Sequence, residues 1–243
     1  MSRFGKILSL WRNRQSVRHA LSSLASLYAG DGVADALGGL ADDETAALVA
    51  WTREACASLA PQRAGLVLEL GALFGLTTIE LARSVPDGFR VVAVDNFCWN
   101  PLGLPPDRHE DFTRRILRPW IDSEKVVLVK ADSEAFRAGF PAFAAGLGMD
   151  PSHGVALAFF DADHSYSAAR DEIAWAKSVG VHAICGHDYG NPLFGVTRAV
   201  DEAFPAGVSV AGMCWRAVKG DRNRGDELDM QSAEREVESR VAC

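Results

Sequence analysis

Apolar and amphipathic segments alternate through most of the chain, and this alternation limits the possible folds more than any other feature of the sequence. It is typical of a parallel sheet that is covered by helices on both faces. The apolar runs lie at 66–70, 91–94, 126–129, 155–160 and 181–185, and the helical patterns lie at about 76–84, 108–120, 134–145, 165–178 and 193–204. With two closing runs at 208–210 and 214–218, the sequence predicts an α/β fold with a doubly wound, mostly parallel sheet of seven strands.

The alternating pattern occupies only part of the chain. Residues 1–60 precede it and are predicted to form an N-terminal helical extension, whose second helix begins at Asp42 and ends before Pro61. The basic, amphipathic pattern near the N-terminus allows contact with a membrane surface or an anionic substrate, but a cap or dimer helix is the favoured interpretation. Residues 61–219 form the predicted α/β domain, and the charged residues 220–243 form a predicted solvated tail.

Composition argues against several classes of protein. The chain has 243 residues and a formal net charge of −7, so we do not expect a nucleic acid as its partner. Its five cysteines are scattered without C-x-x-C spacing, which is typical of reduced intracellular thiols. We find no apolar run of the roughly 18 residues that a membrane span needs, and no clear secretory signal. We therefore expect a cytoplasmic protein without stable membrane insertion, and a homo-oligomer such as a dimer remains open.

A glycine turn joins the first predicted strand to the helix that follows it. The segment reads ELGALFGLT, so Gly71 and Gly75 are spaced E-x-G-x-x-x-G and not as in the G-x-G-x-x-G of dinucleotide-binding sites. Glycine lets the backbone approach a ligand closely, and the first N–H groups of a helix face that ligand. The segment therefore predicts a nucleotide pocket at the carboxyl edge of a Rossmann-like sheet.

Two acids near this turn indicate which nucleotide binds. Asp95 ends the strand VVAVD, where it can accept hydrogen bonds from ribose hydroxyls, as the corresponding acid does in NAD sites. Glu69 precedes the turn, where it would repel a pyrophosphate but can bind an ammonium group. S-adenosylmethionine carries an ammonium group and no phosphate, so it is the predicted cofactor. The alternative is that these acids cap helices or pair with local arginines. The predicted cofactor-binding residues are Glu69, Gly71, Ala72, Gly75, Thr77, Asp95, Asn96, Asp132, Ser133 and Asp161, the pair 132–133 lying near the adenine.

Ionisable residues also follow the fourth and fifth long apolar runs. Asp161 precedes Asp163 and His164 in the first of these segments, and His187 and Asp188 end the second. Neighbouring parallel strands lie about 5 Å apart, so these groups can converge. Clustered carboxylates repel one another unless a cation joins them, and Mg²⁺ suits oxygen ligands. We therefore predict a divalent ion such as Mg²⁺ among these groups, and Asp161, Asp163, His164 and His187 as catalytic residues.

The roles within this group leave alternatives. His164 is the predicted general base, because imidazole titrates near neutral pH, and Asp163 is either an alternative base or the group that orients His164. The structural alternatives are that His164 caps the helix that begins at Ser165, that His187 is a buried hydrogen-bonded histidine, and that Asp188 binds a local backbone N–H.

Two regions resemble a known family. LELGALFGLTTIELAR resembles the cofactor loop of catechol-type class I S-adenosylmethionine-dependent methyltransferases. The segments FFDADHSYSAARDEIAWAKS and GHDYGNPLFGVTRAVDEAF resemble the macrocin and antibiotic O-methyltransferase group, in which D-x-D-H-S-Y and H-D-Y elements recur. The resemblance covers about residues 64–218 and implies methyl transfer to a hydroxyl of a small molecule. It also implies that Asp161, His187 and Asp188 surround a divalent metal ion, which binds the hydroxyl oxygens of the acceptor. His187 replaces the acid or amide of the metal-binding relatives, and a neutral histidine is a poor magnesium ligand.

Two loops rich in aromatic residues and proline are predicted to cover the acceptor, and their mixed aromatic and polar character suits a sugar-bearing or phenolic natural product. One follows Asp95 and includes Phe97, Trp99 and Leu102 as an apolar wall, and the other is YGNPLF at 189–194. Arg108 and His109 are predicted to lie at the rim of the first loop. Two other functions remain as alternatives: an NAD(P)-dependent oxidoreductase, and a non-catalytic protein that binds S-adenosylmethionine or serves in an assembly.

Overall fold

The computed structural model describes residues 39–59, 64–148 and 154–219. In chain order the elements are α1 (Asp42–Leu59), β1 (Gly65–Leu70), α2 (Leu76–Ser84), β2 (Phe89–Asp95), α3 (Pro106–Ile116), α4 (Arg118–Asp122), β3 (Val126–Lys130), α5 (Ser133–Gly146), β4 (Val155–Phe160), α6 (Tyr166–Ser178), β5 (Ala183–Gly186), α7 (Val196–Ala203), β6 (Ser209–Ala211) and β7 (Cys214–Val218). All belong to a unit that begins at Asp42. The predicted basic N-terminal helix and charged tail lie outside the described residues, in which no helix meets the length and apolar character of a membrane span.

The strands form one sheet in the order β3-β2-β1-β4-β5-β7-β6. Strands β1 to β5 are parallel to their neighbours, whereas β7 runs antiparallel to both β5 and β6. The order of winding reverses between β1 and β4, whose last residues, Leu70 and Phe160, lie side by side in register. Ligands of such sheets bind at this reversal, beyond the carboxyl ends of the strands. The predicted doubly wound, mostly parallel, seven-stranded sheet is confirmed.

The central strands are buried on both faces, which explains their nearly continuous apolar sequences. Every residue of β1 and β4 is buried. Leu68 and Leu70 belong to a core cluster that also includes buried residues of α5, α6 and α7, and each such side chain contributes about 1.5–3 kcal/mol. Because successive side chains of a strand alternate between faces, Glu69 points to the other side, where its carboxylate meets Thr78 of α2.

Helix α1 packs on the sheet, although it lies inside the predicted N-terminal extension. It contacts α2, β1, β4 and β7. Its buried residues are Glu44, Leu48, Trp51, Thr52, Ala55 and Cys56. The predicted start of this helix at Asp42 is confirmed, and its packing brings one acid from the beginning of the chain to the carboxyl edge of the sheet.

The helix predicted at 108–120 is wrong in one respect, because the structure has two helices there. Helix α3 ends at Ile116, and α4 begins at Arg118 after the junction residue Leu117. Pro119 has no N–H and its ring crowds the carbonyl of the preceding turn, so one continuous helix is disfavoured.

Candidate active site

The glycine turn fits closely against the segment that follows β4. Gly71 has a φ of 100°, and a Cβ at this position would lie 2.1 Å from the carbonyl oxygen of Asp161. A side chain there would therefore clash with backbone, and only glycine allows this approach. The N–H of Asp161 also donates to the carbonyl of Leu70 at 2.8 Å. The turn between β1 and α2 and the first residue after β4 thus form one continuous surface.

Asp95 organises two loops through their backbones. Its Oδ2 accepts from the N–H of Leu73 at 2.7 Å, and its Oδ1 accepts from the N–H of Phe97 at 2.6 Å. Both residues have positive φ, 46° and 59°, which is unfavourable for side-chain-bearing residues without such support. Burial raises the pKa of Asp95, and these hydrogen bonds oppose that rise. A carboxylate can accept about four hydrogen bonds, so Asp95 retains capacity for ribose hydroxyls.

His109 supports the same two loops from α3. Its ring is buried, and its Nε2 and Nδ1 lie 3.0 Å and 3.3 Å from the carbonyl oxygens of Leu73 and Phe97. The hydroxyl of Thr113, one turn further along α3, donates to the Leu73 carbonyl at 2.7 Å. The prediction that His109 lies at a rim is therefore wrong, because both of its ring nitrogens contact carbonyl oxygens in the interior. Phe97 is likewise buried and packs edge-on against His109, so it is not part of an exposed apolar wall.

Glu69 is a wholly buried acid with incomplete hydrogen bonding. Its Oε2 accepts from the Thr78 hydroxyl, and its Oε1 has no hydrogen-bond partner among the residues that the structure describes. Burial raises the pKa of Glu69 to about 8; the Thr78 hydrogen bond opposes this rise, and the charges of Asp161 and Asp95 add to it. A buried polar atom without a partner costs about 1–3 kcal/mol. A cation near this carboxylate would be stabilised by it.

The other predicted cofactor residues lie along the same edge. Ala72 donates its N–H to the carbonyl of Val94, and Thr77 is buried at the start of α2. Asn96 is exposed and accepts from the N–H of Cys98. Asp132 caps α5 by accepting from Ala135 N at 2.7 Å. These positions are compatible with a cofactor pocket, and their roles in binding stay predictions.

Three ionisable side chains converge beyond β4 and β5, as the sequence predicts. Nδ1 of His187 lies 3.7 Å from Oδ1 of Asp161 and 3.6 Å from Oδ2 of Asp188. Burial raises the pKa of Asp161 to about 7, against the effect of the nearby His187. Burial disfavours the charged form of His187, but the nearby carboxyl groups of Asp188, Asp161 and Glu44 outweigh burial and raise its pKa to about 9. The carboxyl groups of Asp161 and Asp188 therefore favour the protonated form of the His187 ring that lies between them.

His164 is paired with Asp188 and does not cap a helix. Its Nδ1 lies 3.1 Å from Oδ2 of Asp188, and its ring packs against Phe194 at 4.6 Å between centroids. The cap of α6 is instead Ser165, whose hydroxyl accepts from the N–H of Ala168. The hypothesis that His164 serves as the cap is therefore wrong.

The neighbours of this pair hold fixed positions. Asp163 accepts from the N–H of Ser165 at 2.8 Å and so supports the turn. Asp188 has a φ of 60°, and its Oδ1 accepts from the side-chain amide of Asn191. Burial opposes the charged form of Asp188, but the nearby His187 ring and the hydrogen bond from Asn191 lower its pKa. The arrangement is a histidine held by a carboxylate, with Nε2 left for another group.

Two buried acids near the site were missed by sequence reasoning. Glu44 of α1 lies 3.4 Å from Nε2 of His187, and Glu172 of α6 accepts from the Ser133 hydroxyl at 2.5 Å. Burial raises the pKa of Glu172 to about 7. Both acids sit at helical spacing from buried apolar residues, Leu48 in α1 and Ala169 and Ala176 in α6. That spacing was a usable signal, because an acid on the apolar stripe of a helix needs a partner.

Comparison with known proteins identifies solved structures that share this fold. No protein-family model matches the chain, and neither does any curated protein. The solved structure of CalS11, a calicheamicin methyltransferase, matches at a TM-score of 0.50 with 17% identity over 70% of this chain and 77% of that one. The fold is that of a class I methyltransferase. The O-methyltransferase TomG from Streptomyces achromogenes, in complex with SAM, matches at a TM-score of 0.47 with 14% identity over 70% of this chain and 79% of that one. The O-methyltransferase from Bacillus cereus, in complex with SAH, matches at a TM-score of 0.45 with 16% identity over 77% of this chain and 95% of that one. At such identities the likeness concerns fold, and chemistry must be argued from the site.

Proposed function

We propose that this protein, which has a class I methyltransferase fold, transfers a methyl group from S-adenosylmethionine to a hydroxyl oxygen of a small molecule. The observation that carries the proposal is the contact between Gly71 and Asp161, because it joins a nucleotide-type turn to a cluster that contains a carboxylate-held histidine. A donor bound along the turn and an acceptor bound over His164 would meet at this junction.

The cofactor is inferred from three features of the turn. Glu69 is a buried carboxylate with one oxygen lacking a partner among the described residues, so it favours the ammonium end of the donor. Helix α2 begins at Leu76, and its N-cap residue Gly75 has no side chain that could bind the first N–H groups, so these groups suit the donor's carboxylate. Asp95 has acceptor capacity for the ribose. A pyrophosphate would face Glu69 unfavourably, which argues against the oxidoreductase alternative.

The proposed reaction is a direct in-line displacement. The acceptor oxygen forms a bond to the methyl carbon while the carbon–sulfur bond breaks, and its electron pair neutralises the sulfonium to give S-adenosylhomocysteine. The hydroxyl proton goes to Nε2 of His164, whose Nδ1 side is held by Asp188. The protein contributes alignment, a base and exclusion of water. The cationic His187 offsets the charges of Asp161 and Asp188 next to the reacting groups.

The three possible metal ligands fit Mg²⁺ only in part. The carboxylates of Asp161 and Asp188 are ligands that Mg²⁺ prefers, and the possible ligand atoms lie within 4.8 Å of one another. The third group, His187, is an imidazole, which Mg²⁺ does not favour, and it already supplies positive charge between the two carboxylates. Magnesium use therefore stays a prediction, and the displacement described above needs only His164 as the base.

The acceptor class follows from the two predicted covering loops. Their large exposed apolar side chains are Trp99 and Leu102 in one loop and Leu193 and Phe194 in the other. Phe194 packs on the proposed base, so the second loop lies beside the reaction centre. Such a surface favours an acceptor with an apolar or aromatic face, such as a phenolic or sugar-bearing natural product.

Binding and turnover test the proposal separately. Calorimetry should show S-adenosylhomocysteine binding to the wild-type protein, and fluorescence titration should show no comparable binding of NADH. Mass spectrometry with an acceptor panel should then detect a product heavier by one methylene group. Absence of binding would reject the methyltransferase assignment, whereas binding without turnover on every acceptor would support the non-catalytic alternative. Turnover that EDTA stops and Mg²⁺ restores would establish the metal.

A further inference from the structure

Glu44 is a buried acid that contacts the reaction centre although it lies 143 positions before His187 in the chain. It lies in the first turn of α1 and is 5% exposed, whereas its neighbours Asp42 and Asp43 are exposed. An acid in this position costs free energy unless it is paired. Its contacts therefore indicate what it is for.

One carboxylate oxygen of Glu44 faces His187. Oε2 of Glu44 lies 3.4 Å from Nε2, and Asp161 and Asp188 face the opposite nitrogen, Nδ1, of the same ring. The imidazole is therefore fixed from two sides. Rotation of the ring would separate Nε2 from Glu44 and Nδ1 from the two aspartates at the same time.

The second oxygen of Glu44 fixes the hairpin between β6 and β7. Oε1 accepts from the N–H of Met213 at 2.7 Å, and a Cβ on Gly212 would lie 2.5 Å from this oxygen. The carbonyl of Met213 in turn accepts from the N–H of Tyr189 at 2.9 Å. The contacts form a closed path from Glu44 through the hairpin to the residue after Asp188, and back through His187.

We propose that Glu44 is a positioning residue for the reaction centre, which holds the His187 ring in the orientation that places Nδ1 between Asp161 and Asp188. This rests on the proposed function, because the consequence for turnover requires that His187 serve methyl transfer. Carboxylates that orient a functional histidine through its second nitrogen are a known means of fixing ring direction, and their loss costs about 10- to 100-fold in activity at metal-bound histidines.

The decisive variant is Glu44→Gln, because it separates the two contacts. Glutamine keeps a side-chain carbonyl for the Met213 N–H and nearly the same volume, but it loses the negative charge toward His187. We expect kcat to fall about 10- to 100-fold, with S-adenosylhomocysteine affinity and thermal midpoint close to wild type. Asp43→Asn, which removes an exposed charge from the same helical turn, should leave kcat unchanged.

A double variant tests the route of the effect. If Glu44 acts through His187, then Glu44→Gln added to His187→Gln should cause no further loss of kcat. Independent, additive losses would overturn the proposal. So would a wild-type kcat in Glu44→Gln, or parallel losses of kcat, cofactor affinity and thermal midpoint, which would indicate general structural support.

A spectroscopic readout keeps the proposal testable if no acceptor turns over. The ring nitrogen signals of His187, assigned by comparison with His187→Gln, should shift in Glu44→Gln and remain in place in Asp43→Asn. Unchanged signals in Glu44→Gln would reject the contact itself. A shift in a protein without turnover would leave Glu44 as the residue that orients His187 and would reject only the methyl-transfer function.

Discussion

The two halves of the carboxyl edge of the sheet differ in how they hold their acids. On the side of β1 and β2, Asp95 is bound by backbone N–H groups, and Glu69 is bound by the hydroxyl of a residue nine positions away. On the side of β4 and β5, Asp161 and Asp188 face the side chains of His164 and His187.

This difference indicates a division of roles between the two sides, with cofactor binding on one and the reaction on the other. Backbone contacts fix the shape of a loop, which suits the binding of a cofactor whose position must be constant. Side-chain contacts between ionisable groups allow protons and charge to be redistributed, which suits the reaction itself. If this division is correct, substitutions on the first side should change affinity, and substitutions on the second side should change turnover. The predictions below test it, from the largest expected effect to the smallest.

The largest effect is expected at the base. His164→Ala should lower kcat about 100- to 10,000-fold, since it removes the proton acceptor, while S-adenosylhomocysteine affinity measured by calorimetry remains within about twofold. Asp163→Asn should cost far less, because Asp163 supports only the turn. The reverse ranking would make Asp163 the base, and a large loss of affinity in His164→Ala would break the division between the two sides.

Next in size is the loss of Asp95. Asp95→Ala leaves the N–H groups of Leu73 and Phe97 without their acceptor and removes the proposed ribose contact. We expect cofactor affinity to fall about 100-fold, because the two ribose hydroxyls would each lose a hydrogen bond to a charged group, at about 1.5 kcal/mol each. Calorimetry with S-adenosylhomocysteine measures this. Wild-type affinity would contradict the assignment of Asp95 to the cofactor pocket.

A smaller effect is expected from the support behind the turn. Thr113→Val removes the hydroxyl that donates to the Leu73 carbonyl and preserves volume, so it should weaken cofactor affinity by about 1 kcal/mol, which is roughly fivefold, without lowering kcat at saturating cofactor. Asp111→Asn, an exposed change on the same helix, is the matched control. A fall in kcat with unchanged KM for the cofactor would show that the two sides are not separable.

A separate prediction concerns the free energy of unfolding as a function of pH, and it is not ranked with the effects on turnover and affinity. The pKa of Glu69 is raised from its ordinary 4.5 to about 8 in the folded protein, so the folded state holds this proton more tightly than the unfolded state. Glu69 therefore stabilises the fold fully below its unfolded pKa, and that contribution is lost as pH rises toward about 8.

Urea unfolding of the ligand-free protein at about pH 5 and about pH 9 tests this prediction. The fall in the free energy of unfolding between these values should be smaller in Glu69→Gln than in wild type. Asp161 and Glu172 also have raised pKa values, about 7 each, so part of the fall should remain in the variant. An equal fall in both proteins would mean that Glu69 is not held in its neutral form.

Sequence reasoning performed best where the signal was local. The boundaries of α2, β4 and β7 follow directly from apolar period and turn residues, and the convergence of Asp161 with His187 and Asp188 follows from their places after adjacent parallel strands. It failed where the partner was distant along the chain. The carbonyl groups that His109 contacts lie 12 and 36 positions away, so nothing near His109 showed that it would be buried.

The sequence by itself determined the layered fold, the glycine turn at Gly71 and the set of acids at the ends of the strands, because period, backbone freedom and strand order are local or additive properties. Only the tertiary structure decided that His164 faces Asp188, that His109 contacts the glycine turn and that Glu44 faces His187. Those pairings depend on the approach of α1, α3 and the β6–β7 hairpin to the sheet. That approach is set by the packing of the whole core, and no segment encodes it alone.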